Sequence, residues 1–227
     1  MLDPPYRAST QLSGGETNEV PDLTSLAIRT AGNKCRLSKH PSLMRVQGFL
    51  VSRCLNLTTL RVGYDHHRPF IPCADHFLSL GRWPALRTLS LQNLWCSTHS
   101  GFEAATTFLA AHPLIEILHF ELGRVHLDLP VGSLPNLKEL MCGREAAVAI
   151  LACPMNKDTM RPVEILKGFK LGGGRDGALL NCLRRYPGLR KIELLSYLDV
   201  CVSFLFLFGG LLLLMPGMGF RSKTSSD

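Results

Sequence analysis

The chain has 227 residues, 46% hydrophobic and 19% charged. That is enough apolar material for one buried core, and it excludes a globally disordered chain. Its 25 basic and 18 acidic residues leave a formal charge of +7, which suits acidic partners. Nucleic acid is not expected as a partner, because no Lys/Arg-rich run occurs and basic residues are not interleaved with aromatics. The charge is uneven. Residues 29–87 carry 10 bases and 2 acids, residues 103–145 carry 3 bases and 6 acids, and residues 157–191 carry 9 bases and 3 acids. A solvated face is the ordinary explanation of such blocks.

Residues 1–20 are polar, lack an apolar signal core and are expected to be disordered. From Pro21 a motif L-x-x-L-x-L recurs, with Ile, Val or Phe allowed. It appears as Leu23/Leu26/Ile28, Leu57/Leu60/Val62, Leu86/Leu89/Leu91 and Ile115/Leu118/Phe120. It continues as Leu137/Leu140/Cys142, Leu166/Phe169/Leu171 and Leu189/Ile192/Leu194, with Val163/Leu166 as an alternative start for the sixth copy. First positions are 34, 29, 29, 22, 29 and 23 residues apart. Pro21, Pro84, Pro113, Pro135 and Pro187 each stand two residues before a motif, where a fixed φ ends a preceding helix. The closing x-L-x-L is a short half-buried strand. One such strand cannot bury its apolar face, but stacked copies can. The stretches 42–54, 101–112, 145–153 and 176–186 have helical spacing, Asp176 being an N-cap candidate. Strand, loop, helix, loop, strand predicts an α/β leucine-rich-repeat solenoid over residues 21–199. Its parallel sheet would be curved, its helices on the convex side, and its repeats irregular at about 22–34 residues. The seven first positions should share one buried column.

Eight cysteines show no C-x-x-C and no zinc-finger spacing. Without a secretory signal they read as reduced thiols packed as small hydrophobes, in an intracellular (cytoplasmic or nuclear) protein. The sequon at Asn56 is then a chance match. His66 and His67, beside Asp65, would point apart on an extended segment and chelate poorly. His112, His119 and His126 are expected as surface or half-buried histidines. The run Gly172–Gly177 has glycines but no G-K-[ST], so it reads as a loop rather than a phosphate cradle. With no nucleophile elbow and no metalloprotease helix, no catalytic, cofactor or metal residue is assigned. Trp83 and Trp95 flank the third motif. They would be partner hot spots if exposed on the sheet face, but packing at a repeat corner is the simpler expectation.

The stretches FLAAHPLIEILHF, LPVGSLPNLKEL and LLNCLRRYPGLRKIELLSYL make residues 84–198 resemble the leucine-rich-repeat region of fungal F-box proteins. Two features depart from that pattern. The asparagine expected three residues after a motif's last leucine is missing, since Leu94 follows Leu91 at that distance and Asn93 comes one residue early; no orderly asparagine ladder is therefore expected. No N-terminal segment reads as the three-helix F-box module. The resemblance implies a non-enzymatic scaffold with the substrate-binding half of a ubiquitin-ligase adaptor, truncated of the part that recruits the ligase. Its partner would be an unidentified protein. Positions between the motif residues should face that partner: Thr59, Arg61, Thr88, Ser90, Ile117, His119, Glu139, Met141, Lys191 and Glu193.

Val200–Phe220 runs 21 residues without a charge, before a polar end at 221–227. About 20 apolar residues can cross a bilayer as a helix, so a membrane-tethered repeat protein is the alternative function. Glu193 and Asp199 before the run, and Arg221 and Lys223 after it, are placed against that orientation. Translation into an unspliced intron and a buried cap are the other two readings. Since no amphipathic capping helix is visible, the run is expected to stand outside the repeats as a helix.

Overall fold

A computed structural model describes residues 23–29, 48–51, 54–64, 71–97, 100–123, 126–155, 160–169, 177–195, 201–207 and 210–214. The protein is α/β. Seven parallel strands follow chain order: β1 (Ser25–Arg29), β2 (Thr59–Gly63), β3 (Thr88–Gln92), β4 (Ile117–Phe120), β5 (Glu139–Cys142), β6 (Ile165–Phe169) and β7 (Lys191–Leu195). The helices that fall between them are α1 (Asp75–Leu80), α2 (Ser100–Ala110), α3 (Arg144–Ala152) and α4 (Gly177–Leu183), and residues 48–51 are also helical. The three long helical patterns from residue 101 onward hold to within a few residues. Helix α1, six residues long with Phe77 and Leu78 buried, is too short for periodicity to reveal.

The motif spacing becomes geometry through one repeated corner. Proline sits at the second position of a turn closed by Leu86 N–H to Trp83 O (3.0 Å), Ile115 to His112 (3.3 Å), Leu137 to Leu134 (3.4 Å) and Leu189 to Tyr186 (3.2 Å). Its fixed φ suits that position. After each corner one carbonyl accepts two consecutive N–H groups of the next strand. Thr24 O takes Thr58 and Thr59, Thr58 O takes Arg87 and Thr88, and Arg87 O takes Glu116 and Ile117. Glu116, Lys138 and Glu164 carbonyls continue the series up to Lys191. This shared rung keeps the register in step across repeats of unequal length.

Leu57, Leu86, Ile115, Leu137 and Leu189 are buried as expected, and Leu23 is partly so. Leu166 is a correction. It pairs with Leu140 and Ile192, in the column of second positions. Val163, 1% exposed, takes the first position, which makes the sixth copy Val163/Leu166. Measured from Val163, the flanking intervals become 26 and 26 residues. The third position slips because β6 contains one extra residue. Register passes from Lys167 opposite Glu193 to Phe169 opposite Leu194, and Gly168 between them has φ +85°, a conformation glycine adopts freely.

The charge-free tail is also corrected. Its described parts are strands, not a helix: β8 (Cys201–Leu207) pairs antiparallel with β7, and β9 (Gly210–Leu214) pairs antiparallel with β8. They extend the sheet to nine strands. The physical reason is the open edge of β7, whose backbone groups need partners. The Phe-rich run and the Leu run also flank Gly209-Gly210, a hairpin signal that outweighs apolar helix length. Leu207 is opposite Gly210 in the register. Among the described residues, no helix is long and apolar enough to cross a membrane.

Trp83 anchors the corner before β3. It is fully buried, its indole N–H donates to Leu50 O (3.4 Å), and its ring lies 5.6 Å from Phe77, 6.0 Å from Phe108 and 6.2 Å from His112. Packing at the corner is thus observed for Trp83, while Trp95 is 45% exposed. His112 departs from the surface or half-buried reading, being 1% exposed. Its Nε2 accepts the Trp83 backbone N–H at 3.0 Å, so its Nδ1 carries the proton and donates to Phe108 O at 2.6 Å. Both nitrogens are used by the neutral ring, and a second proton would face the Trp83 N–H. Burial, with Arg82 nearby, holds the His112 pKa below its ordinary 6.5 despite the Phe108 bond.

A pH dependence follows. The unfolded chain takes up the His112 proton first as pH falls, so stability is full above pH 6.5 and declines through that value toward the lower folded pKa. Urea midpoints between pH 7.5 and 5.5 should fall more steeply in the wild type than in His112→Gln. Parallel slopes would show that the ring titrates without coupling to folding.

Candidate functional site: the outward sheet face

Along each strand the motif residues point into the core, and the residues between them point to the other face of the sheet. All ten positions chosen from the sequence lie on that face. They form two register rows. One runs Thr59, Thr88, Ile117, Glu139, Ile165, Lys191, and the other Arg61, Ser90, His119, Met141, Lys167, Glu193. Ile165 and Lys167 were missed because the sixth motif was read three residues late. Burial differs from place to place. Arg61 is exposed, most others are half-buried, and Ser90 is 6% exposed. Ser90 departs from a solvent-facing role because its short side chain stands in register between the longer Arg61 and His119.

The β4–β7 half of the face is a neutralised charge cluster. Glu139 Oε1 accepts Lys167 Nζ at 2.7 Å and lies 2.8 Å from His119 Nε2. Burial pushes the Glu139 carboxyl up, but the Lys167 and His119 contacts outweigh it and leave the pKa below the ordinary 4.5. Lys191 pairs with Glu193 two residues on. A second ladder borders the strand entrances. Glu116 holds Arg87 at 2.5 Å and Lys138 at 2.7 Å, and Glu164 lies 3.5 Å from Arg190. Contacts with Lys138 and then Arg87 lower the Glu116 pKa. Such exposed pairs add little stability, and their regular placement instead gives this edge alternating sign.

At the strand exits Asn93 supplies an interaction that the motif pattern did not promise. It adopts φ +55°, which asparagine tolerates, and its Nδ2 donates to Tyr64 O at 2.5 Å, joining the exits of β2 and β3. Away from the face, Arg161 is 2% exposed and donates to Ser133 O (3.1 and 2.7 Å) and Cys153 O (2.7 Å). This cation satisfies two buried backbone carbonyls outside regular elements, one between β4 and β5 and one just after α3. Nothing in residues 154–164 signalled that role.

Asp75 accepts the Ser97 N–H at 3.1 Å and the Ser97 hydroxyl, and its carboxylate also takes the thiols of Cys73 and Cys96. Burial and the Asp75 charge push the Cys96 thiol up to about 12, which opposes thiolate chemistry. Cys54, Cys142, Cys153 and Cys182 are buried free thiols. His66, His67 and residues 172–176 of the glycine-rich run lie outside the described residues, and Gly177 opens α4. Among the described residues, no group of three or more His, Cys, Asp or Glu is placed to hold a metal. Comparison of the chain with protein-family models, with curated proteins and with solved structures finds no match.

Proposed function

We propose that the protein is a non-enzymatic, leucine-rich-repeat recognition scaffold, like the substrate-binding repeats of an F-box ubiquitin-ligase adaptor, and that its outward sheet face binds a protein partner. The observation that carries the reading is the register: seven parallel strands bring side chains from seven motif copies into continuous rows on one face. Those rows mix charge, hydroxyl and apolar groups, a composition suited to protein recognition. The helix-bearing side holds the core instead. The solenoid form and the ligase connection belong to this proposal and rest on the motif and its resemblance.

The test is site-specific photocrosslinking in cells. A photoreactive residue at Ile117 or Met141 should capture one discrete protein, whereas the same group at Glu103 or Thr107, exposed on α2, should not. Equal capture from both sides would reject the sheet face as the binding surface.

A further inference from the structure

We infer that the β1–β3 half of the outward face binds an extended acidic peptide segment of the partner, with carboxylates two residues apart meeting Arg61 and Arg29. The inference rests on the recognition reading above and supplies the partner's chemistry for one half of the face. On β1, β2 and β3 the outward positions include two arginines and no acid. Both arginines are exposed, and among the described residues neither guanidinium has a hydrogen-bond or ion-pair partner. The other half contrasts, because there Lys167 and Lys191 are matched by Glu139 and Glu193. Among the described residues these two guanidiniums stand unmatched beside a neutralised field, which gives the face a local demand for anions.

The surroundings select an extended chain. Ala27 and Ser90 flank Arg61 in register, and Gly63 stands beside Arg29. These small residues leave the sheet surface low, so a peptide backbone can lie close to it. The Gln92 side chain lies over Gly63, its Oε1 3.7 Å from where a Cβ would be, and its amide is placed to bond a peptide group. Register puts Arg61 and Arg29 one strand across and two residues along from each other, so their Cα atoms are about 8 Å apart. In an extended peptide, residues i and i+2 share a face at about 6.6–6.8 Å. Each guanidinium fork can then take one carboxylate in a two-point bond. A nucleic-acid strand fits less well, because no outward position of these three strands is aromatic and so the strands themselves offer no stacking platform.

The experiment uses the full chain and fluorescence anisotropy. The probes are a pool of synthetic peptides with Asp or Glu at i and i+2 and random neighbours, the matching Asn/Gln pool, and a single-stranded oligonucleotide. The acidic pool should bind and the amide pool should not. Arg61→Gln and Arg29→Gln should each weaken binding about tenfold or more, while Arg185→Gln, an exposed cation just after α4 and off the sheet face, should leave it unchanged. Equal binding of the two pools, no effect of Arg61→Gln, or preference for the oligonucleotide would overturn the inference. Crosslinking from Ile117 and Met141 separates the failures. If it still captures a protein, the recognition reading stands and only the acidic-peptide assignment falls.

Discussion

Trp83→Ala is expected to remove about 3–5 kcal/mol of stability, the range for truncating a large buried aromatic. Against a typical domain stability of about 5–15 kcal/mol, that is a large share. Three helical pieces converge on the ring: Phe77 on α1, Phe108 on α2, and the Leu50 carbonyl in residues 48–51. The fit is tight, because a Cβ on Gly81 would come within 2.5 Å of the indole and 2.9 Å of Phe108. Collapse into the vacated space is therefore restricted, and a cavity should persist. Trp83→Phe should cost less, since it keeps much of the apolar volume and loses the bond to Leu50. Denaturant midpoints at constant m-value decide it. A loss below about 1 kcal/mol for the alanine variant would mean the corner repacks freely and is not a shared anchor.

The parallel strands were legible because their signal is local. Leu60/Val62, Leu89/Leu91, Leu118/Phe120 and Leu140/Cys142 alternate in sequence and are buried in the fold. The proline corners were legible for the same reason, since a fixed φ needs no distant partner to be read. The sixth strand was misread because Gly168 adds a residue, and only pairing with β7 shows which side of the bulge faces the core. The tail was misread because apolar length describes helix and buried strand alike. What decides between them is the open edge of β7, a property of the assembled sheet. The ten face positions followed from alternation, but the ion pairing that neutralises the β4–β7 half did not. Glu139 reaches His119 20 residues before it and Lys167 28 residues after it, partners that only register brings together. Buried His112 and Arg161 were hidden because each answers to backbone groups, and sequence spacing does not reveal those.

Leu89→Ala should cost about 2–5 kcal/mol, whereas Thr88→Ala should stay within about 0.5 kcal/mol. The two residues are neighbours on β3 and share its backbone pairing, so strand propensity and edge effects are nearly common to both. What separates them is the side of the sheet. Leu89 is fully buried and stands in register between Leu60 and Leu118, in the column that continues through Leu140, Leu166 and Ile192. Truncating it opens a void whose walls are set by two neighbouring strands and so relax little. Thr88 stands between Thr59 and Ile117 on the outward face and is half-buried, so its loss is refilled by solvent. The contrast also bears on function. If both variants unfold at the same denaturant concentration, the outward rows are part of a second core and cannot be a binding face. If Leu89→Ala alone is destabilised, the rows are free to vary without harm to the fold, as a surface that recognises partners must be.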